Sequence, residues 1–271
     1  MNVLLATDLS EAGLRSVEGL CACGATGFKR VTLLHVVDLD QYTAGGSIPG
    51  IAEWAHEELD KAAADLRARG FEVDIRVETG PAVDTIKAIA DEIGADLIVT
   101  TNLGKGAVVG RFLGSTAERL AGEVHLPVLI ERVGHDGEQW CRLGSGSPFQ
   151  RILLGVALEG DTRSLIDRAA RLPGVESLKV VHVVADESAR AAAQQKFEDA
   201  LDGVESSATI ESAVLVGEAA EQLLAQAREM GATAIAVSPC RHSMLHRGLL
   251  SSVARRVLLN ADRAVLLLPP A

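Results

Sequence analysis

Residues 100–117 read TTNLGKGAVVGRFLGSTA, with Gly104, Gly106, Gly110 and Gly114 followed by the hydroxyl pair Ser115 and Thr116. Glycine loses more conformational freedom on folding than any other residue, so a loop this rich in it needs unusual φ angles or backbone that touches something. N–H groups bared by glycine and followed by a helix N-terminus make an anion site. Ser115-Thr-Ala-Glu118 has the S-x-x-E form of a capping box, which predicts a helix starting at Ser115 with its first N–H groups turned back toward the loop. A phosphate chain would then lie between Gly104 and the Ser115–Thr116 end. Asp8 closes another apolar run, Val3-Leu-Leu-Ala-Thr7, and suits a ribose hydroxyl or a divalent metal. Two common phosphate motifs are missing. There is no G-x-x-x-x-G-K-[ST], and Gly104-Lys-Gly106-Ala-Val-Val-Gly110 is one residue too long for G-x-G-x-x-G.

The elements that must position these residues are written twice. Asn2-Val-Leu-Leu-Ala-Thr-Asp8 aligns with Arg151-Ile-Leu-Leu-Gly-Val-Ala157, and Leu34-His-Val-Val37 with Val181-His-Val-Val184. Gly80 aligns with Gly217, and Val128-Leu-Ile130 with Val265-Leu-Leu267. The repeat is domain-sized, which gives domains at 1–133 and 151–271 joined by a Gly/Ser-rich linker at 134–150. In the first copy the apolar runs predict strands near 2–7, 31–37, 72–77, 96–101 and 127–132. Helices are expected near 11–24, 51–69, 82–93 and 115–124. Val83, Ile86, Ala90 and Ile93, for example, line one helical face. Strict strand–helix alternation implies an α/β fold: two similar domains, each a five-stranded parallel sheet with helices on both faces. In the order 3-2-1-4-5 the chain reverses between strands 1 and 4. Their carboxyl ends carry Thr7-Asp8 and Thr100-Thr101, and ligands of open α/β sheets bind at such a crevice.

Composition narrows the field. A net charge of −11 argues against a general nucleic-acid or anionic-membrane binder, because both need a basic footprint. No apolar run reaches membrane-spanning length, and the opening MNVLLATDLSEAG lacks a basic n-region. Four cysteines in 271 residues are too few for a disulfide scaffold. The expected compartment is the cytoplasm. Cys21 and Cys23, within a helix, read as packing, as do the mid-strand His35 and His182.

On Gly104, Gly114-Ser115, Asp8 and the strand Leu34-His-Val-Val37, the sequence resembles the universal stress protein family in a tandem two-domain form, over nearly its whole length. The family pattern is G-x2-G-x9-G-[ST] after strand 4 with an Asp ending strand 1. The resemblance implies a Rossmann-like fold, a role in the stress response, and ATP or a related adenine nucleotide, with or without Mg²⁺, in the first domain. Adenine would meet the backbone near Val36, ribose would lie near Asp8, and phosphates would lie between Gly104 and Ser115-Thr116, with Thr7, Thr100, Thr101 and Gly114 also in the nucleotide site. Thr101 departs from the pattern, which has glycine there, and its side chain narrows the approach.

The second copy departs further. Its matching stretch runs from Ser238-Pro-Cys-Arg241 to Ser251-Ser252, without the glycine anchors, and Ala157 replaces the Asp. A degenerate nucleotide site is expected there. Arg241, Arg247, Arg255 and Arg256, with His242 and His246, form a basic cluster read as a solvated helix end paired with acids elsewhere. Cys240, His242 and His246 lack a fourth ligand for zinc.

No nucleophile elbow or kinase signature set occurs, so ATP hydrolysis would be weak at most. Three readings stay open: a nucleotide-binding regulator, a metal-dependent ATPase or phosphotransferase using Asp8 and Lys105, and a nucleotide-free scaffold for an unidentified protein partner. The last strands of the two copies are both apolar, and family members pair through this strand. The two copies are therefore expected to form an intrachain pseudo-dimer, with homodimerisation left open. The segment Asp38–Gly50, with Gly45-Gly46 at its middle, is expected to fold over the base through Tyr42 or Ile48.

Overall fold

The computed structural model describes residues 1–38, 50–103, 113–158, 162–204, 206–239 and 250–270. The first repeat runs β1 (Asn2–Ala6), α1 (Glu11–Cys23), β2 (Arg30–Val37), α2 (Ile51–Ala68), β3 (Val73–Thr79), α3 (Ala82–Glu92), β4 (Leu97–Thr101), α4 (Ser115–Glu123) and β5 (Val128–Glu131). A short hairpin follows, β6 (Val133–His135) and β7 (Trp140–Arg142). The second repeat runs β8 (Arg151–Gly155), α5 (Thr162–Ala170), β9 (Ser177–Val184), α6 (Arg190–Leu201), β10 (Thr209–Val216), α7 (Ala219–Glu229), β11 (Ala234–Val237), α8 (Ser252–Asn260) and β12 (Ala264–Leu267).

In the described residues ten strands join in one sheet, ordered β10-β9-β8-β11-β12-β5-β4-β1-β2-β3. Each half has the 3-2-1-4-5 order expected from the sequence and is parallel throughout. The halves meet where β5 and β12 pair antiparallel. Leu129 sits opposite Leu266, its counterpart in the repeat, so the two halves are related by a local two-fold. Alternation along the buried strands sends side chains to two cores. Val3, Leu5, Leu97 and Val99 pack with Val17, Leu20, Leu59 and Leu66 of α1 and α2, in a core that continues under α5 and α6. Leu4, Ile98 and Ile130 pack with Val83, Ile86 and Leu120 of α3 and α4, in a core that continues under α7 and α8.

The stretch read from composition as a plain linker carries structure. Its hairpin lies against α1, and its Arg142 is buried in an ion pair with Glu131 at the end of β5, Nε to Oε2 2.9 Å. Phe149, just before β8, is fully buried. Among the described residues no helix is long and apolar enough to cross a membrane.

Candidate functional site

The crevice lies at the carboxyl ends of β1 and β4, where the chain reverses direction across the sheet. Register aligns Val3 with Leu97 and Leu5 with Val99, so Thr7 and Thr101 stand level on neighbouring strands. Thr7 continues β1 by donating its N–H to Leu34 O at 3.0 Å. Its side-chain oxygen accepts from Leu9 N at 3.2 Å. The turn beyond it is sharp. Leu9 has φ +59°, a conformation that costs a branched side chain of order 1–3 kcal/mol. Asp8 is half-buried, and its Oδ1 accepts from both Ser10 N at 3.0 Å and Ser10 Oγ at 2.6 Å. Ser10 in turn caps α1, its Oγ accepting from Gly13 N at 3.0 Å. Gly13 lets α1 approach the Asp8 and Thr7 side chains closely, and any larger residue would have to displace them. A Cβ there would stand 2.3 Å from Asp8 Oδ1 and 2.9 Å from Thr7 Oγ1.

Val36 lies on β2 beyond the point where β1 ends. Leu34 O faces β1, and strand alternation turns the backbone of Val36 to the same edge, past the last bond to β1. That leaves a backbone edge at the mouth of the crevice. His35 is buried and takes a scaffold role, its Nδ1 2.9 Å from Thr7 O. His182 repeats this with Val156 O at 2.8 Å.

On the other wall, Thr100 and Thr101 are buried. The Thr101 hydroxyl donates to Leu103 O at 2.6 Å, so the side chain that replaces the pattern's glycine is tied back into its own turn. Gly104 lies outside the described residues. Gly114 returns the chain by donating to Asn102 O at 2.7 Å. Here the structure corrects the expected capping box. The N-cap is Gly114, with φ −61° and ψ 146°, and no side-chain cap bond is made. Ser115 is already helical, so its hydroxyl cannot cap, and Glu118 is displaced from the reciprocal position. Glu118 instead meets Arg255 of the second repeat at 3.2 Å. Ser115 and Thr116 thus begin α4 behind a glycine N-cap that has no side chain to cap it, and a helix N-terminus of this kind can receive anions.

The universal stress protein family model matches residues 1–132 and 148–269. The chain belongs to the universal stress protein family. A universal stress protein of Methanocaldococcus jannaschii is 28% identical over 135 residues, covering 47% of this chain and 79% of that protein. One of Mycobacterium tuberculosis is 26% identical over 140 residues, covering 47% of this chain and 93% of that protein. The crystal structure of a universal stress protein from Archaeoglobus fulgidus superposes with a TM-score of 0.73 at 22% identity, over 100% of this chain and 96% of that one, a likeness of fold.

Within this universal stress protein the second crevice is built differently. Leu158 keeps the strained turn with φ +46°, but Ala157 and Thr162 stand where the first repeat has Asp8 and Gly13. Ser251 caps α8, its Oγ accepting from Ala254 N at 3.1 Å, so one first-turn donor is engaged by the chain's own side chain. Of the basic cluster, Arg255 pairs with Glu118, and Arg256 pairs with Glu218 at 2.8 Å and Glu221 at 3.3 Å. Cys240, Arg241, His242, His246 and Arg247 lie outside the described residues, as do positions 39–49 of the segment expected to cover the base.

Sequence reasoning passed over Gly13 and Asn102. The spacing Asp8-x-Ser10-x-x-Gly13 is readable as a cap with a close helix approach, once the strand end is known to be a site wall. Asn102 gave no signal, because its partners are distant in the chain.

Proposed function

We propose that this protein is a regulatory member of the stress response that binds ATP or a related adenine nucleotide in its first repeat and lacks that site in its second. The observation that carries the reading is the contrast between two equivalent helix ends. Helix α4 opens on Gly114 without a side-chain cap, whereas the matching end of α8 is closed by Ser251. The phosphates would lie between Gly104 and Ser115–Thr116, the ribose beside Asp8 and Thr7, and the adenine against the backbone of Val36. Any Mg²⁺ would arrive with the nucleotide and keep phosphate oxygens and waters as most of its ligands. The role is binding, with the nucleotide as the regulatory signal.

Mass spectrometry of protein denatured after gentle purification tests this directly. Retained adenine nucleotide is expected. Calorimetry with ATP should find one site per chain. Two equivalent sites would refute the asymmetry, and no binding of any adenine nucleotide would refute the reading.

A further inference from the structure

We propose that the hairpin between the two repeats is a working part of the first repeat's site, and that Asn102 is the positioning residue coupling them. The proposal rests on the nucleotide reading above and adds to it the element that reports occupancy.

Asn102 directly follows β4 and is 1% exposed. Three backbone neighbours converge on it. Its N–H donates to Glu131 O at 3.0 Å, its carbonyl accepts from Gly114 N at 2.7 Å, and its Oδ1 accepts from Val133 N at 2.8 Å. One residue therefore holds the end of β5, the N-cap of α4 and the first residue of the hairpin. Packing repeats the connection. Val133 and Trp140 of the hairpin form a small apolar cluster with Ala12 and Leu103. Ala12 stands beside Gly13 in the first turn of α1, and Leu103 directly precedes Gly104. The hairpin thus touches the first turn of α1 and the residue that leads from β4 into the glycine loop. Its far end is fixed by Arg142, bonded to the buried Glu131 and, through Nη1, to Gly146 O at 2.8 Å.

The second repeat shows that the turn itself does not need these anchors. Ser251 N donates to Pro239 O at 2.7 Å, the same bond that Gly114 makes to Asn102. Yet proline offers no side-chain acceptor there, and the counterpart of Glu131 is Leu268, buried in apolar surroundings. The side-chain anchors occur in the repeat whose helix begins on a glycine N-cap and are missing from the one whose helix is capped by serine. Phosphate seated on the first turn of α4 would pull on Gly114, and through Asn102 on Val133. By linkage, the docking of the hairpin would set nucleotide affinity in return. The exposed tip, Asp136 to Gln139, is then the surface on which occupancy is displayed.

The chain has two tryptophans, so Trp54→Phe leaves Trp140 as an optical reporter inside the hairpin cluster. In that background ATP is titrated while heat and Trp140 emission are read on the same samples. Emission should change with the midpoint given by the heat. Asn102→Ala should weaken ATP about tenfold, the equivalent of one lost buried hydrogen bond, and abolish the Trp140 response. It should also speed amide exchange at Gly114, whose own acceptor, a backbone carbonyl, the substitution retains. The double variant Glu131→Leu with Arg142→Met places apolar groups at the buried pair, as in the second repeat, and should fold while blunting the emission change. Heat without a change in Trp140 emission overturns the coupling and leaves nucleotide binding standing. Absence of heat overturns nucleotide binding and the coupling with it. Full affinity and full response in both variants removes Asn102 and the hairpin from the site.

Discussion

At the scale of single residues, the two repeats differ most tellingly at one position. Gly114 and Ser251 are counterparts, and both begin their helices from an extended conformation. The serine spends its oxygen on the helix, whereas the glycine has no side chain to spend. Gly114→Ser should transplant the closed end. The backbone permits it, since φ is −61° and a new Cβ would meet Asn102 O at an ordinary 3.5 Å. The variant should gain a few tenths of a kcal/mol in helix stability and lose about tenfold in ATP affinity. The reverse change, Ser251→Ala, should cost about 1 kcal/mol of stability and leave ATP affinity alone. Calorimetry beside urea melts separates the two effects. Unchanged ATP affinity in Gly114→Ser would remove the open helix end from the argument. Leu9 and Leu158 show a limit of such readings. Both are left-handed, although only the first follows an Asp. The strained turn therefore belongs to the path from strand to helix and is by itself no sign of a ligand.

At the scale of elements, the alternation of apolar runs and amphipathic segments made the fold legible. Strands fully buried on both faces, such as Leu97–Val99, and a helix with Val83, Ile86 and Ala90 on one face can be arranged in few ways. The glycine spacing and Asp8 pointed to the carboxyl ends of β1 and β4, where the chain reverses across the sheet. The hairpin was not legible, because Gly134–Pro148 has the composition of a linker and its order comes from long-range partners. Chief among these is the Glu131–Arg142 pair. Burial pushes the Glu131 carboxyl above its ordinary value, and the attraction of Arg142, which pulls the other way, does not fully offset it. A carboxyl raised in the folded state contributes stability that is fully present below its unfolded pKa and lost as pH rises through the folded value. The loss begins at about pH 4, the ordinary range for Glu. Glu131→Gln mimics the protonated acid and does not titrate. Its stability relative to the parent should therefore improve as urea melts move from about pH 4 to about pH 8. A relative stability that falls over that range would show that the ion pair, and not the desolvation of Glu131, dominates. Cys23 lies beside this pair, and burial raises its thiol to about 11, so it should resist alkylation while the hairpin is docked.

At the scale of the whole molecule, beside the two apolar cores that run through both repeats, three contacts among the described residues join them around the local two-fold. Strands β5 and β12 share backbone bonds on either side of Leu129 and Leu266. Glu118 and Arg255 pair across the first turns of α4 and α8. Arg132, buried just after β5, donates from Nε to Ala261 O and from Nη1 to Leu258 O, both at 3.0 Å, and so closes the carboxyl end of α8. The first contact is symmetric in kind, since each repeat presents the edge of its last strand. The Arg132 contact is not, because Pro269 is its counterpart. A first repeat without the second would expose β5 with every backbone group on one side unpaired, and a second copy of the same edge is its nearest substitute. The mycobacterial relative aligns over 93% of its own length with only 47% of this chain, a stretch the size of one repeat. Residues 1–146, which keep Arg142 opposite Glu131, should therefore fold and self-associate into a dimer through β5. The dimer should be weaker than the native join, because Arg132 finds no matched helix end. Ile130→Pro, which removes a strand donor, should shift the fragment toward monomer without unfolding it. Sedimentation equilibrium decides. A fragment that stays monomeric at high concentration would mean that the Arg132 and Glu118–Arg255 contacts, and not the shared strand edge, hold the repeats together.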